Sequence, residues 1–133
     1  MKKQWIICAT GLAMAALIGG CSSVQTAKAG TFAGQQIAPQ GQSVAHINAT
    51  SAGLYLLSIP LITGDSVEPG AIVFGKDTVN VTQMTKAVTA QSSSLAASKT
   101  INLVSMTDSS NIPVPIPFLF YWRTVNVSGN AIK

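Results

Sequence analysis

Few side chains in this sequence could carry acid–base, nucleophilic or metal chemistry. His46 is the one histidine, and Asp65, Glu68, Asp77 and Asp108 are the only acids. A Ser/His/Asp arrangement could be assembled from His46, Asp65 or Asp108 and one of many serines. However, no G-x-S-x-G elbow or S-x-x-K motif presents a serine as a nucleophile. Metal ligation would call for H-E-x-x-H or EF-hand spacing, and neither is present. Asp65-Ser66-Val67-Glu68 reads instead as a turn, and His46 as a strand residue on a polar face. There is no glycine-rich phosphate loop. The sequence thus predicts no catalytic residue, no metal site and no cofactor, leaving a small hydrolase built on His46 as the weakest reading. Three matches to the N-x-[ST] sequon, at Asn48, Asn80 and Asn126, read as chance.

The other reactive groups are two thiols, Cys8 and Cys21, both near the N-terminus. Lys2 and Lys3 form a basic head, and an apolar run covers residues 5–18. Fourteen residues fall short of the roughly 20 that a membrane-spanning helix requires. A basic head, a short apolar stretch and small residues before a break mark an export signal. The break reads Leu17-Ile18-Gly19-Gly20-Cys21-Ser22-Ser23: an aliphatic residue, two small residues, then cysteine.

This segment resembles the lipobox of bacterial lipoproteins. The resemblance implies that the Cys21 thiol receives a diacylglyceryl group and that cleavage falls between Gly20 and Cys21. It also implies acylation of the new amino group, with palmitate-type chains. Residues 1–20 would then be a cleaved signal peptide. Ser22, rather than Asp, follows the cysteine; in diderm hosts this favours the inner leaflet of the outer membrane, with the domain on the periplasmic face. Two or three chains anchor stably where one holds only marginally, at about 0.8 kcal/mol per buried CH₂. With Cys8 removed and Cys21 acylated, the mature chain keeps no thiol for a disulfide, nucleophile or zinc site. It would carry six basic and four acidic side chains, a net +2, too little and too scattered for a nucleic-acid surface.

The elements that would position these groups follow from composition and periodicity. Residues 21–42 comprise the acylated cysteine and a stretch rich in Ser, Gln, Ala and Gly, which reads as a flexible tether reaching roughly 25 Å. Residues 43–133 read as one small domain. Ala45, Ile47 and Ala49 alternate with His46 and Asn48 in a first strand. Beyond Gly53, a second strand covers residues 54–62, and residues 63–70 are turn-like. Val81, Met84, Val88 and Leu95 share a helical face, behind an Asn80 cap and ending near Lys99, over about 18 residues. A strand over 100–106, with a bulge or two-sided burial, precedes a polar loop at 107–111. A last strand over 118–127 turns Val125 and Val127 inward, and Gly129 and Asn130 finish it. The predicted fold is α+β: a two-layer sandwich of about four strands and one helix in the order β-β-α-β-β. Over about residues 53–131, the IPLITGD segment, helix and final VNVSGNA strand are similar to small lipoprotein domains of the TRL-like type. That similarity implies no activity.

Residues 112–122 concentrate Pro113, Pro115, Phe118, Phe120, Tyr121 and Trp122 next to Arg123. Either these aromatics form the core beneath the helix, or part of this face docks a partner or the membrane interface. Alternation cannot send both Phe120/Trp122 and Leu119/Tyr121 to one core. Rigid prolines lower the ordering cost of binding, and Tyr, Trp and Arg are favoured at interface centres. The sequence therefore predicts a membrane-anchored, non-enzymatic envelope module for structure or interaction, with an envelope protein as its candidate partner. The alternative is a periplasmic module binding an apolar small molecule or lipid between sheet and helix.

Overall fold

The computed structural model describes residues 21–32, 35–112 and 119–133. Its strands are β1 (Ser22–Lys28), β2 (Ser43–Leu56), β3 (Ile59–Gly64), β4 (Ile72–Phe74), β5 (Lys99–Ile112) and β6 (Phe120–Ile132), with helix α1 (Val81–Ser94) between β4 and β5. All six strands form one antiparallel sheet in the order β4-β3-β2-β6-β5. Strand β1 pairs with β2 as well. It lies end to end with β3 along one edge, because β1 takes positions 45–51 of β2 and β3 takes positions 53–56. The expected four-stranded sandwich is thus corrected to a six-stranded sheet with one helix. The α+β class stands.

The long central pair β2/β6 follows from its alternation. Ala45, Ile47 and Ala49 on β2 lie opposite Ala131, Gly129 and Val127 on β6. The apolar members of this set are fully buried with Met84, Val88 and Val125 beneath α1. Each larger buried side chain of this group contributes about 1.5–3 kcal/mol of apolar transfer. The helix presents Met84, Val88 and Ser92 inward at four-residue steps. Asn80 caps it, its side chain accepting from the Gln83 N–H at 2.9 Å. It ends sooner than its periodicity suggests. Ala96 takes a left-handed φ of 55°, and the Ala96 and Ala97 N–H groups return to the Ser93 and Ser92 carbonyls. That pair of bonds closes the last turn.

Two other boundaries move. Gly53 does not end the first strand: β2 runs on to Leu56 and turns at Leu57, whose φ is +54°. A Cβ on Gly53 would stand 2.8 Å from Thr63 Cγ2 and 3.0 Å from Val79 Cγ2. The glycine therefore serves close packing, not chain reversal. The polar stretch at 107–111 continues β5 instead of looping, since each residue pairs with β6 from Thr107↔Val125 to Asn111↔Tyr121. The β5 ladder is offset between Ile101 and Val104, where Asn102 has φ +53°, consistent with the expected bulge.

The largest correction concerns the expected tether. Residues 22–28 form β1, in unbroken register from Ser22↔Ser51 to Lys28↔Ala45. Composition misleads here because a strand added to an existing edge needs few apolar groups. It satisfies backbone N–H and C=O groups that β2 would otherwise leave open, and Val24 packs against the core. At the joint between β1 and β3, a Cβ on Gly64 would lie 2.5 Å from the Cys21 carbonyl carbon and 2.6 Å from the Ser22 nitrogen. Gly64→Ala should therefore cost about 1–3 kcal/mol and loosen β1 first. Hydrogen exchange should show faster exchange at residues 22–28, and unchanged protection there would count against this packing.

Candidate functional site

Cys21 stands one residue before β1, and its carbonyl accepts the Ala52 N–H at 2.8 Å. Ser22 is buried opposite Ser51 on the helix side of the sheet, and both its carbonyl and its Oγ accept from the Gly70 N–H (3.1 and 3.2 Å). The chain is therefore pinned to the sheet as soon as it leaves Cys21, which is exposed. Gly20, on the other side of the expected cleavage point, lies outside the described residues, as do Pro113, Pro115 and Phe118.

The structure divides the remaining residues of the expected interaction surface between the two sides of β6. Tyr121 and Arg123 point to the helix side, opposite Tyr55 and Gly53, whereas Phe120 and Trp122 point away, opposite Leu56 and Leu54. On the helix side, Tyr121 stacks on Tyr55 with ring centroids 5.3 Å apart and planes 11° from parallel. The buried Tyr55 hydroxyl donates to Asp77 Oδ1 at 2.7 Å, and Asp77 Oδ2 lies 3.7 Å from Arg123 Nη1. The Arg123 guanidinium carbon sits 6.0 Å from the Tyr55 ring centre. Asp77 and Arg123 are partly exposed, so their ion pair contributes at most about 1 kcal/mol. The cluster's main work is to close the end of the core that α1 does not reach. No local pattern marks Tyr55 or Asp77 here, because their partnership depends on residues 75–80 folding back to β2.

Burial, followed by the hydrogen bond to the Asp77 carboxylate and that carboxylate's charge, raises the Tyr55 phenol well above its usual range. Unfolded tyrosines ionise near pH 10. Above about pH 10 the unfolded chain releases a proton that folded Tyr55 keeps, so this contribution is complete below that pH and declines as pH rises. Urea midpoints should fall more steeply across this alkaline range for the parent protein than for Tyr55→Phe. Parallel curves would contradict the assignment.

Away from the helix, cross-strand neighbours form rows. One row runs Ser110–Trp122–Leu54–Ile62–Phe74, and the next, toward the β2–β3 turn, runs Ile112–Phe120–Leu56–Ile59. Among the described residues no helix covers these rows; α1 lies on the other face. Phe74 is 73% exposed and Ile59 60%. In the opposite direction the same face turns polar on β2 and β6, through Thr50/Asn126, Asn48/Ser128 and His46/Asn130, while on β5 the exposed Met106 and Val104 extend the rows of Asn126 and Ser128. Its far end is capped by the buried cluster of Ala38, Ile101 and Ile132.

His46 belongs to the polar part. Its Nδ1 lies 2.7 Å from Asn130 Oδ1, while the Asn130 amide donates to the Ile37 carbonyl at 3.3 Å. An amide orients this imidazole where a catalytic triad would use a carboxylate. A shallow groove of about 320 Å³ lies between α1 and the turn at residues 66–69, lined by Val24, Val67, Ala87, Ala90 and Lys86 among others. No group of three His, Cys, Asp or Glu side chains comes together among the described residues. No helix among them is long and apolar enough to cross a membrane. No protein-family model, curated protein or solved structure matches the chain.

Proposed function

We propose that this protein is a bacterial lipoprotein, acylated at Cys21 and cleaved after Gly20, whose domain serves as a non-enzymatic structural or interaction module of the cell envelope. The observation that carries the reading is Leu17-Ile18-Gly19-Gly20-Cys21 behind a short basic-headed apolar segment. The position of Cys21 supports it: the cysteine is exposed and the first described strand begins at the next residue, so every described strand lies on the mature side of the cleavage point. Ser22 after the cysteine favours the outer membrane, periplasmic face. Intact-mass measurement of detergent-extracted protein tests the reading. A chain beginning at Cys21 and carrying diacylglyceryl and an N-linked acyl group is expected. A chain retaining Met1, or an unmodified Cys21 thiol, would refute it.

A second reading, a module binding an apolar small molecule or lipid, is favoured by the groove beside α1. Its volume of about 320 Å³ stands at the lower end of the usual ligand-site range of about 300–1,000 Å³. Native mass spectrometry of the mature protein would show a retained ligand as added mass.

A further inference from the structure

We propose that the apolar end of the helix-free sheet face is a membrane-docking surface, which lies against the lipid bilayer holding the Cys21 anchor. The inference rests on the acylation of Cys21 proposed above and adds what acylation alone does not determine: which way the domain faces.

Three observations converge on it. First, there is no slack between anchor and fold, since the Cys21 carbonyl is bonded to β2 through the Ala52 N–H and β1 starts at Ser22. Acyl chains on Cys21 would hold this part of the sheet at the lipid surface. Second, Ser22 lies on the helix side opposite Ser51, so strand alternation sets position 21 on the other side, beside Ala52. That is the side carrying Leu54 and Trp122. Third, on the central strands β2 and β6 the character of this face changes at the row of Cys21. Two residues farther along the strands, about 7 Å away, begin the two apolar rows that contain Trp122, Ile59 and Phe74. In the other direction the central strands β2 and β6 present Thr, Asn, Ser and His, and only Met106 and Val104 on the edge strand β5 are exposed apolar side chains. Neither apolar row contains a charged residue, and Asp108, in the row of Thr124 and Ala52, stands at the boundary where head groups and water meet.

These features favour lipid over a second copy of the chain. A partner protein could be met at any orientation, but acyl chains leaving this face place it at the bilayer without a search. Turning the face to water would drag the chains out of the membrane. The exposure of Phe74 and Ile59 suits shallow insertion, in which an apolar face sinks to the boundary between head groups and acyl chains.

Trp122 provides the test. The chain has two tryptophans, and Trp5 leaves with residues 1–20, so Trp122 is the sole indole of the mature protein. Acylated protein, its mass verified, would be reconstituted into phosphatidylethanolamine–phosphatidylglycerol vesicles with acyl chains brominated near the head group. A blue-shifted emission, quenched about two-fold because the face reaches the upper acyl chains, is expected. Ile59→Ser combined with Phe74→Ser, both at exposed positions, should abolish most of the quenching while the added acyl mass and the circular dichroism stay unchanged. Acylated protein with unquenched Trp122 would overturn the docking face and leave the lipoprotein reading intact. So would a crosslinked dimer that shields Trp122 from bromine, or quenching indifferent to the double variant. An unmodified Cys21 would overturn both.

Discussion

Replacing Cys21 with serine should abolish acylation and halt maturation, so that the chain accumulates with residues 1–20 attached. A hydroxyl cannot stand in for the thiolate as nucleophile toward the lipid donor, because the thiolate forms near neutral pH and the alkoxide does not. Radiolabelled palmitate should enter the parent protein and not Cys21→Ser, and the variant's mass should include Met1. Cys8→Ser is the matched control: it lies in the segment whose removal is proposed, so label and mature mass should be unaffected. Label that persists in Cys21→Ser, or disappears in Cys8→Ser, would place the modification elsewhere. The effect is all-or-none, because each acyl chain adds about 0.8 kcal/mol per CH₂ and two or three together hold almost irreversibly.

Tyr55 should be the most sensitive side chain in the folded part. Tyr55→Ala removes a ring that is 1% exposed, its stacking on Tyr121 and its bond to Asp77. Truncation of a buried aromatic costs about 3–5 kcal/mol, a large share of the roughly 5–15 kcal/mol that stabilises a typical domain. Tyr55→Phe keeps the ring and loses only the hydroxyl. Because water can solvate the partly exposed Asp77, its cost should stay near 1 kcal/mol. Chemical denaturation of both variants tests the division. Equal losses would mean that the hydrogen bond, and not packing, holds this end of the core.

The parts of the fold that could be read beforehand are those governed by local period. Ala45, Ile47, Ala49, Val125 and Val127 showed their inward face by alternation. Met84 and Val88 showed theirs by helical spacing, and Asn80 its cap by side-chain chemistry. The elements that escaped are those created by an edge or a turn. Strand β1 looks like linker because its stability is supplied by β2. The turn at Leu57 contains no glycine to signal its positive φ. The polar run of β5 extends as a strand because β6 offers it a ladder. Gly53, read as punctuation, is an absence of side chain required by Thr63 and Val79. Of the expected interaction residues, alternation foresaw that the two sides of β6 must diverge. It could not show that Tyr121 and Arg123 would join Tyr55 and Asp77, residues distant in sequence.

The chain's own order of residues was enough to mark the acylation candidate, because the basic head, apolar length and small–small–cysteine ending form a local pattern that needs no fold to be recognised. It was enough, too, to establish α+β character, since periodicity is a property of neighbouring residues. Tertiary structure alone decided that Cys21 adjoins a strand and not a tether, and that Leu54 and Trp122 share the face turned away from the helix. Those relations depend on which distant backbone edges pair, and pairing free energy belongs to both strands together. No segment taken singly contains it.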